Sequence, residues 1–485
     1  MSSVYDKYEL VVGLEVHMQL QTKSKAYSAD SNLYGSLPNT NVNPITLGHP
    51  GTLPRVNKRS IEYAIRLAIA CDMEVNRNVY FARKNYFYAD LPKGYQITQD
   101  KTPICTGGYI PIKTEDGKEI KINITRAHLE EDAGKSMHDQ DPFDTLIDLN
   151  RAGVPLIEVV SEPDIRSSKD AYSYLTELRK LIRYLGICDG NMEEGSMRCD
   201  ANVSVRLKGA EKFGTRCEVK NMNSIRNVQR AIDHEMIRQI DIIEAGGVIV
   251  QETRSFDAAN GTTFSLRSKE LAHDYRYFPE PDLQPLEISL EEIEEIKNSM
   301  PALPNELFKK YTAEFGLSEY DATMLTNEKE IAMWYESLIQ HTANYKAACN
   351  WLIGPIKAYL NENAIHIDDF KATPSQIAGI ITLVEGGKIS ASAAAEKILP
   401  ILANEASKSA QQIAEELNLI QDAGEDEIKN MAREVLAAWP DKVENYKKGN
   451  KGMLGLFMGE LMKKTGGKAN PKVASSIIQE LLNEA

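Results

Sequence analysis

The chain has 485 residues, 42% of them hydrophobic and 26% charged, and a formal net charge of −14. This is the composition of a soluble globular protein with room for roughly two to four domains, and its acidity excludes a surface that grips nucleic acid everywhere, so contact with a polyanion needs a local basic patch. Its six cysteines form no C-x-x-C pair, and no stretch offers a signal peptide or the roughly 20 apolar residues of a membrane span, so a reducing, cytoplasmic setting without a zinc ribbon is expected.

Residues 8–20 alternate as a strand does. Glu15, His17 and Gln19 fall on one face, and Val12, Leu14, Val16 and Met18 on the other. A carboxylate beside an imidazole suits a metal or acid–base site, and equally a solvated polar face. The glycine- and proline-rich loop over 34–54 is long enough to be functional. The period of 60–70 predicts a helix buried through Ile61, Ala64, Ile65, Leu67 and Ala68. Residues 81–88 and 93–99 interleave cations, Lys84 among them, with aromatic rings. That mixture suits stacking and phosphate contact, or lysines lying along half-buried tyrosines.

Over 122–136, Arg126, His128 and Glu130 recur at spacing two and share a face, and Glu131 and Asp132 add charge. Gly134-Lys135-Ser136 mimics the end of a phosphate-binding loop, but the glycine required five residues earlier is Leu129, which rejects that motif. Asn150-Arg151-Ala152-Gly153 reads as a turn, and the β-branched run that follows it as a buried strand. Glu158 lies in the middle of that run, where a cation, a metal or a proton must compensate it, Arg151 being one candidate.

Ser167 and Asp170 then open a helix that Gly186 closes, with Tyr172, Leu175, Leu178, Leu181, Ile182 and Leu185 as its apolar stripe. Arg198, Asp200 and Asn202 share the polar face of the next strand, and 213–223 repeats the style with Glu218, Lys220 and Asn221. The segment 274–282 carries prolines that stop regular structure. From 286 onward the pattern is helical, over 289–299, 328–341, 344–360, 374–385 and again from about 406. The tail collects Lys447, Lys448, Lys451, Lys463, Lys464 and Lys468, which are solvated helix ends or a surface for a polyanion.

Taken together, Glu15, His17, Glu130 and Glu158 supply carboxylates and one imidazole from three strands. Oxygen-rich ligands with one imidazole suit Mg²⁺ or Mn²⁺ better than Zn²⁺, and Mg²⁺ joined to carboxylates suggests phosphoryl transfer from ATP. Lys84, Arg151 and Arg198 are the cations available to the transferring group.

Several long motifs carry a resemblance to one family. Gly13-Leu14-Glu15-Val16-His17, Arg83-Lys84-Asn85-Tyr86-Phe87-Tyr88, His128-Leu129-Glu130-Glu131-Asp132-Ala133-Gly134-Lys135-Ser136, the stretch 148–164, Met192 to Asn202, 274–282 and Gly467-Lys468-Ala469-Asn470-Pro471 resemble, in order, the B subunits of glutamyl/aspartyl-tRNA amidotransferases. The resemblance implies an α+β chain: a glutamine-synthetase-like antiparallel sheet domain with flanking helices over 1–290, a helical domain over 291–405, and a helical tRNA-binding tail over 406–485. It implies phosphorylation, with Mg·ATP, of the side-chain carboxylate of mischarged Glu-tRNA(Gln) and, in many organisms, of Asp-tRNA(Asn). Ammonia made by a partner, an amidase-type glutaminase, then displaces the phosphate, and a small third protein completes a heterotrimer. DNA and membrane are not expected partners. Catalysis is expected of Glu15, His17, Lys84, Glu130 and Glu158, metal ligation of His17, Glu130 and Glu158, ATP contact of Asn150, Arg151, Arg198 and Asp200, and tRNA contact of the six tail lysines. Many members bind zinc through two cysteine pairs; Ser28, Asp30, Asn43 and Thr46 stand at those positions, so no zinc is expected. Two other classes stay open, a tRNA-docking scaffold without chemistry and a free-standing glutamine-synthetase-like ligase.

Overall fold

The computed structural model describes residues 4–138, 140–268, 275–405, 407–420, 425–465, 469 and 471–484. The chain divides into two compact units, Met1–Pro304 and Asn305–Ala485.

The first unit holds β1 (Tyr8–Gln19), α1 (Lys58–Ala70), β2 (Ala82–Asn85), β3 (Tyr95–Thr98), β4 (Glu119–Glu131), β5 (Pro155–Ser161), α2 (Ser168–Leu185), β6 (Met197–Leu207), β7 (Cys217–Met222), α3 (Ile225–Glu244), β8 (Glu252–Asp257), β9 (Thr262–Ser268), β10 (Arg276–Pro279) and α4 (Leu290–Asn298). A ten-stranded sheet runs β9-β8-β7-β6-β1-β5-β4 and ends on the short strands Cys105–Thr106 and Glu74–Val75, with Tyr109–Lys113 also paired to β4. Its neighbours are antiparallel except β7 and β8. The ribbon β10-β2-β3 forms a separate sheet. Its β10 occupies the segment where the prolines were expected to stop regular structure; Pro279 is tolerated because β10 is an edge strand of that sheet.

One face of the large sheet is core. Val12, Leu14, Val16 and Met18 of β1 join Met197, Cys199, Ala201 and Val203 of β6 beneath Leu67 of α1, Leu178 of α2 and Ile232 of α3. Helix α2 begins where the Ser167 side chain accepts from the Asp170 N–H and ends on Gly186, whose φ of 66° places it in the left-handed region. Tyr172 is exposed and Tyr174 is buried in its stead. Two residues turn a helix by roughly 200°, so the stripe runs through Ala171, Leu175, Leu178 and Ile182.

The opposite face is polar, and two bulges decide which side chains reach it. Ile122 and Ile124 of β4 enter the core, and unbroken alternation would send His128 and Glu130 in after them. Register slips opposite Val160/Ser161, where Ile124 and Arg126 find partners and Thr125 is the extra residue. Beyond the slip Ala127 and Leu129 take the core side, and His128 and Glu130 turn to the open face. On β7 a second slip falls between the pairs Ala201–Val219 and Cys199–Met222, with Asn221 at φ 64°.

This unit extends past the expected border at 290 to Pro304, because Ile293, Ile296, Met300 and Leu303 pack on the same core. The second unit is helical in its described residues. Helices fall at Lys329–Leu338, in a continuous run from Tyr345 to Asn363, and at Pro374–Glu385. The shorter Pro304–Ala313 and Glu319–Thr326 span too few turns to declare a period. Ala410–Glu416 packs on Pro374–Glu385, and Gln376 Nε2 donates to the Lys408 carbonyl at 2.8 Å. The border expected at 405/406 therefore falls inside one bundle. A separate core gathers Ile428, Val435, Phe457, Leu461, Ile478 and Leu482. No helix of the described residues is long and apolar enough to cross a membrane.

The bulge yields a length test. Deleting Thr125 should abolish cooperative folding, since restored alternation would drive His128 and Glu130 into the core. Thr125→Ala keeps the chain length and removes one methyl and the Oγ1 hydrogen bond to the Glu162 carboxylate (2.7 Å), so it should cost about 1.5–3 kcal/mol in denaturant melts. Equal stability of the two variants would show that the slip does not set the face.

Candidate active site

On the polar face, neighbouring strands bring the expected residues together. In the ladder His17 stands opposite Glu158 on one side and Arg198 on the other, and Glu15 opposite Val160 and Asp200. His17 Nε2 lies 3.2 Å from Glu158 Oε2. His128 Nε2 stands 3.3 Å from both Glu158 Oε2 and Glu130 Oε1. The ribbon β2-β3 supplies the rest: Thr98 Oγ1 donates to Glu130 Oε1 at 2.7 Å, Gln96 Nε2 to Oε2 at 3.2 Å, and Lys84 Nζ is 3.8 Å from Oε1. A cavity of about 450 Å³ opens over the group, walled also by Arg126, Tyr275 and Tyr277.

Burial alone would protonate these acids, and the local charges reverse it. Burial pushes the Glu130 pKa up, but Lys84 and His128 outweigh it and hold the carboxylate below its ordinary value. Burial opposes ionisation of Glu158 too, yet hydrogen bonds from His128 and His17 draw it well down. The imidazoles respond in kind. Burial lowers both, while hydrogen bonds and charges from Glu130 and Glu158 raise His128 to about 9 and hold His17 above its usual range. Glu15 differs: burial first, then the charges of Glu158 and Glu218, raise its pKa against a 2.8 Å hydrogen bond from Asn202. One face thus holds two carboxyls drawn below their ordinary range and a third raised above it.

The ligand atoms of His17, Glu130 and Glu158 lie within 4.8 Å of one another, as do those of Glu15, Asp200 and Glu218. The first set, two carboxylates with one imidazole, fits Mg²⁺ or Mn²⁺. In the second, Lys220 already pairs with Asp200, and with Glu218 at 2.8 Å. Ser28 and Thr46 instead hydrogen-bond to Asp30 at 3.1 and 2.6 Å, and Asn43 Oδ1 accepts from the Thr46 N–H. That group offers zinc neither thiolate nor imidazole.

Other expected residues lie elsewhere. Arg198 is drawn to Asp132 at 2.6 Å and lines a neighbouring cavity of about 560 Å³ with His17, Asp200 and Lys220. Asn150 and Arg151 do not line the cavity over the carboxylates. Asn150 Oδ1 accepts from Asn41 N–H (2.8 Å) and its Nδ2 donates to the Leu37 carbonyl (2.7 Å), so it holds the long loop. Arg151 donates to the carbonyls of Ala133 and Gly134 at 3.0 and 2.6 Å. The counter-ions of Glu158 are the two histidines. In the second unit Lys448 pairs with Glu444, Lys463 with Glu460 and Lys464 with Glu434, while Lys447 and Lys451 have no carboxylate partner among the described residues. Lys468 and Asp274 lie outside the described residues. Unassigned at the sequence level were the roles of His128, Gln96, Thr98, Glu218 and Lys220. Period two from Glu130 does put His128 on its face; the rest needed the folded ribbon and bulge.

The charge pattern has a pH signature. With its folded-state pKa raised to about 9, His128 contributes stability that is fully present below about 6.5, its unfolded value, and lost as pH rises through about 9. The depressed Glu158 contributes above its unfolded pKa and is lost in acid. Thermal melts in a chelator should show Tm declining between about pH 6.5 and 9; a flat profile there would contradict the protonated bridge.

Comparison with known proteins identifies the family. A family model described as GatB/GatE catalytic domain matches residues 10–294, and one described as GatB domain matches 333–482. The B subunit of the aspartyl/glutamyl-tRNA(Asn/Gln) amidotransferase from Persephonella marina is 48% identical over 477 residues, covering 98% of this chain and 100% of that protein. The protein of the same name from Chlorobium phaeobacteroides is 48% identical over 476 residues, covering 98% and 99%. That of Thermosynechococcus vestitus is 46% identical over 485 residues, covering 98% and 97%. Since the first match spans every strand that supplies the carboxylate face, and the relatives align over nearly the whole of this chain, the chain belongs to the GatB/GatE family.

Proposed function

We propose that the chain is the B subunit of an aspartyl/glutamyl-tRNA(Asn/Gln) amidotransferase, a ligase that turns the side-chain carboxylate of a mischarged tRNA into its amide with ATP. The observation that carries the reading is the pair Glu130 and Glu158, buried and bridged by His128, with His17 paired to Glu158, under one open cavity. A scaffold that only docks tRNA has no use for charges so costly to bury.

The chemistry divides into two displacements. A carboxylate oxygen of the tRNA-borne glutamate or aspartate attacks the terminal phosphorus of ATP, the bond to the bridging oxygen breaks, and ADP leaves. Ammonia then attacks the acyl carbon, and phosphate leaves. His17, Glu130 and Glu158 would hold Mg²⁺, which when bound offsets phosphate charge. Lys84 and Lys220, on opposite sides of the cavity, offer cations to the phosphoryl oxygens. Asp200 borders the same cavity, and Arg198 the neighbouring one that shares His17, Asp200 and Lys220 with it. Glu15, with its raised pKa, is suited to accept the proton that the attacking ammonia must shed. The sheet, antiparallel except at β7 and β8, with its helices on one face supports a glutamine-synthetase-like arrangement for this unit.

Ammonia is expected from an amidase-type glutaminase partner, with a small third protein completing the cytoplasmic heterotrimer. For tRNA, the tail offers Lys447 and Lys451, which have no carboxylate partner among the described residues, with Lys448, Lys463 and Lys464 held by carboxylates until a stronger anion competes.

Glu130→Gln or Glu158→Gln should abolish tRNA-dependent ATP cleavage, because each removes a ligand charge, while circular dichroism stays native. Near-normal amidation by either variant would sink the assignment. Lys447→Ala with Lys451→Ala should flatten the log–log salt dependence of tRNA binding by roughly 0.7–0.9 per lost phosphate contact. An unchanged slope and affinity would place the tRNA elsewhere.

A further inference from the structure

The cavity over Glu130 and Glu158 is rich in acids, and nearly all of its cations are already engaged. Lys84 lies 3.8 Å from Glu130, His17 and His128 pair with Glu158, and Lys220 pairs with Asp200 and Glu218. Arg126 differs. It stands on β4 two residues before His128 and lines the same cavity, half-buried. Among the described residues its guanidinium has neither a carboxylate partner nor a hydrogen bond. Asp100, just past the end of β3, lines the cavity too and has no ion pair among the described residues, with Arg126 or with any other cation. Gln99, the residue before it, fixes this segment against β4: its Oε1 accepts from the Leu129 N–H at 3.0 Å and from the Ile104 N–H at 2.9 Å.

A half-buried guanidinium without a partner forgoes the hydrogen bonds that would offset its desolvation. It gains them when a carboxylate arrives, because its planar fork takes both carboxylate oxygens in parallel N–H···O bonds, which an ammonium cannot do. Its position suits a nucleophile. In a displacement at phosphorus the attacking and leaving oxygens stand roughly in line on opposite sides. Sheet order puts β4, with Arg126, on one side of the carboxylate group, and β6 and β7, with Asp200, Glu218 and Lys220, on the other. At about 4.8 Å per strand, β4 and β7 are roughly 19 Å apart, which leaves room for the two groups at separate ends.

We propose that Arg126 and Asp100 form the subsite for the aminoacyl group of the mischarged tRNA, Arg126 clasping the side-chain carboxylate that is to be phosphorylated and Asp100 the α-ammonium group; the inference rests on the phosphoryl-transfer reading above. Esterified through its α-carboxyl, a glutamyl or aspartyl group presents one carboxylate and one amine, the two charges this end of the cavity leaves unanswered. Deacylated tRNA offers neither. The amide product has lost the carboxylate, so Arg126 has no anion to hold once the reaction is complete.

The test is steady-state amidation of Glu-tRNA(Gln) by the assembled amidotransferase, with ammonium as the nitrogen donor. Arg126→Ala should lower kcat/KM for Glu-tRNA(Gln) roughly 10–150-fold, the loss of a hydrogen bond to a charged group. The inhibition constant of deacylated tRNA(Gln) and the affinity for ATP should stay at their wild-type values. Acetylating the α-amino group of the substrate should cost the wild type what Asp100→Asn costs on the free amine, and the two losses should not add. Unchanged kcat/KM in Arg126→Ala overturns the proposal, and additive losses overturn the Asp100 contact. Weakened ATP would put Arg126 on phosphate, and weakened deacylated tRNA would put it on the RNA backbone; either result overturns the subsite. Should Arg126→Ala melt early, Arg126→Gln, long and neutral, is read by the same three measurements. A wild-type complex that does not cleave ATP when given Glu-tRNA(Gln) overturns the phosphoryl-transfer reading itself.

Discussion

Two like charges held close inside a protein are the constraint from which the sheet unit follows. Glu130 and Glu158 repel one another, and burial makes each of them costly; left alone, one would take up a proton. They remain ionised because positive partners reach them from several sides. His17 comes from the strand next to Glu158, His128 stands between the two acids, and Lys84 arrives from the overlying ribbon with Thr98 and Gln96. No single element could supply all of these. The site therefore requires β1, β4 and β5 in fixed register and a second small sheet folded over them.

Register in turn depends on one residue. Because side chains alternate, β4 could serve either the helices or the open face along its whole length, but it has to do both in succession. Thr125 resolves this by being unpaired, and β7 makes the same adjustment near Asn221 to return Met222 to the core after presenting Glu218 and Lys220. Bulges beside a site re-aim side chains in this way.

What the sequence made legible divides along the same line. In β1 every other residue is apolar over the full strand, so Glu15 and His17 could be assigned a common face and were found there. In β4 the local spacing of His128 and Glu130 was sufficient, because both lie on one side of the slip; extending the pattern back to Ile122 would have inverted them. Proximity along the chain misled where the fold turns. Arg151 is seven positions from Glu158 in sequence, yet the turn at Gly153, with φ of 83°, directs it to the Ala133 and Gly134 carbonyls. Asn150 belongs to a loop more than a hundred residues upstream, a pairing no local pattern encodes. In the helical unit, apolar period gave the longer helices, while lysine clustering said nothing of the glutamates that meet those lysines.

The placement of β1 has a consequence for how the protein is made. The strand at the centre of the sheet is made before both of its neighbours, Pro155–Ser161 and Met197–Leu207. At about 5–20 residues per second, roughly 10–40 s pass before both exist. Through that interval a run whose alternate side chains are Val12, Leu14, Val16 and Met18 has exposed ladder edges on both sides and no stable partner. The polar alternates Glu15 and His17, later the centre of the chemistry, are also what keeps the nascent strand from being apolar on both faces.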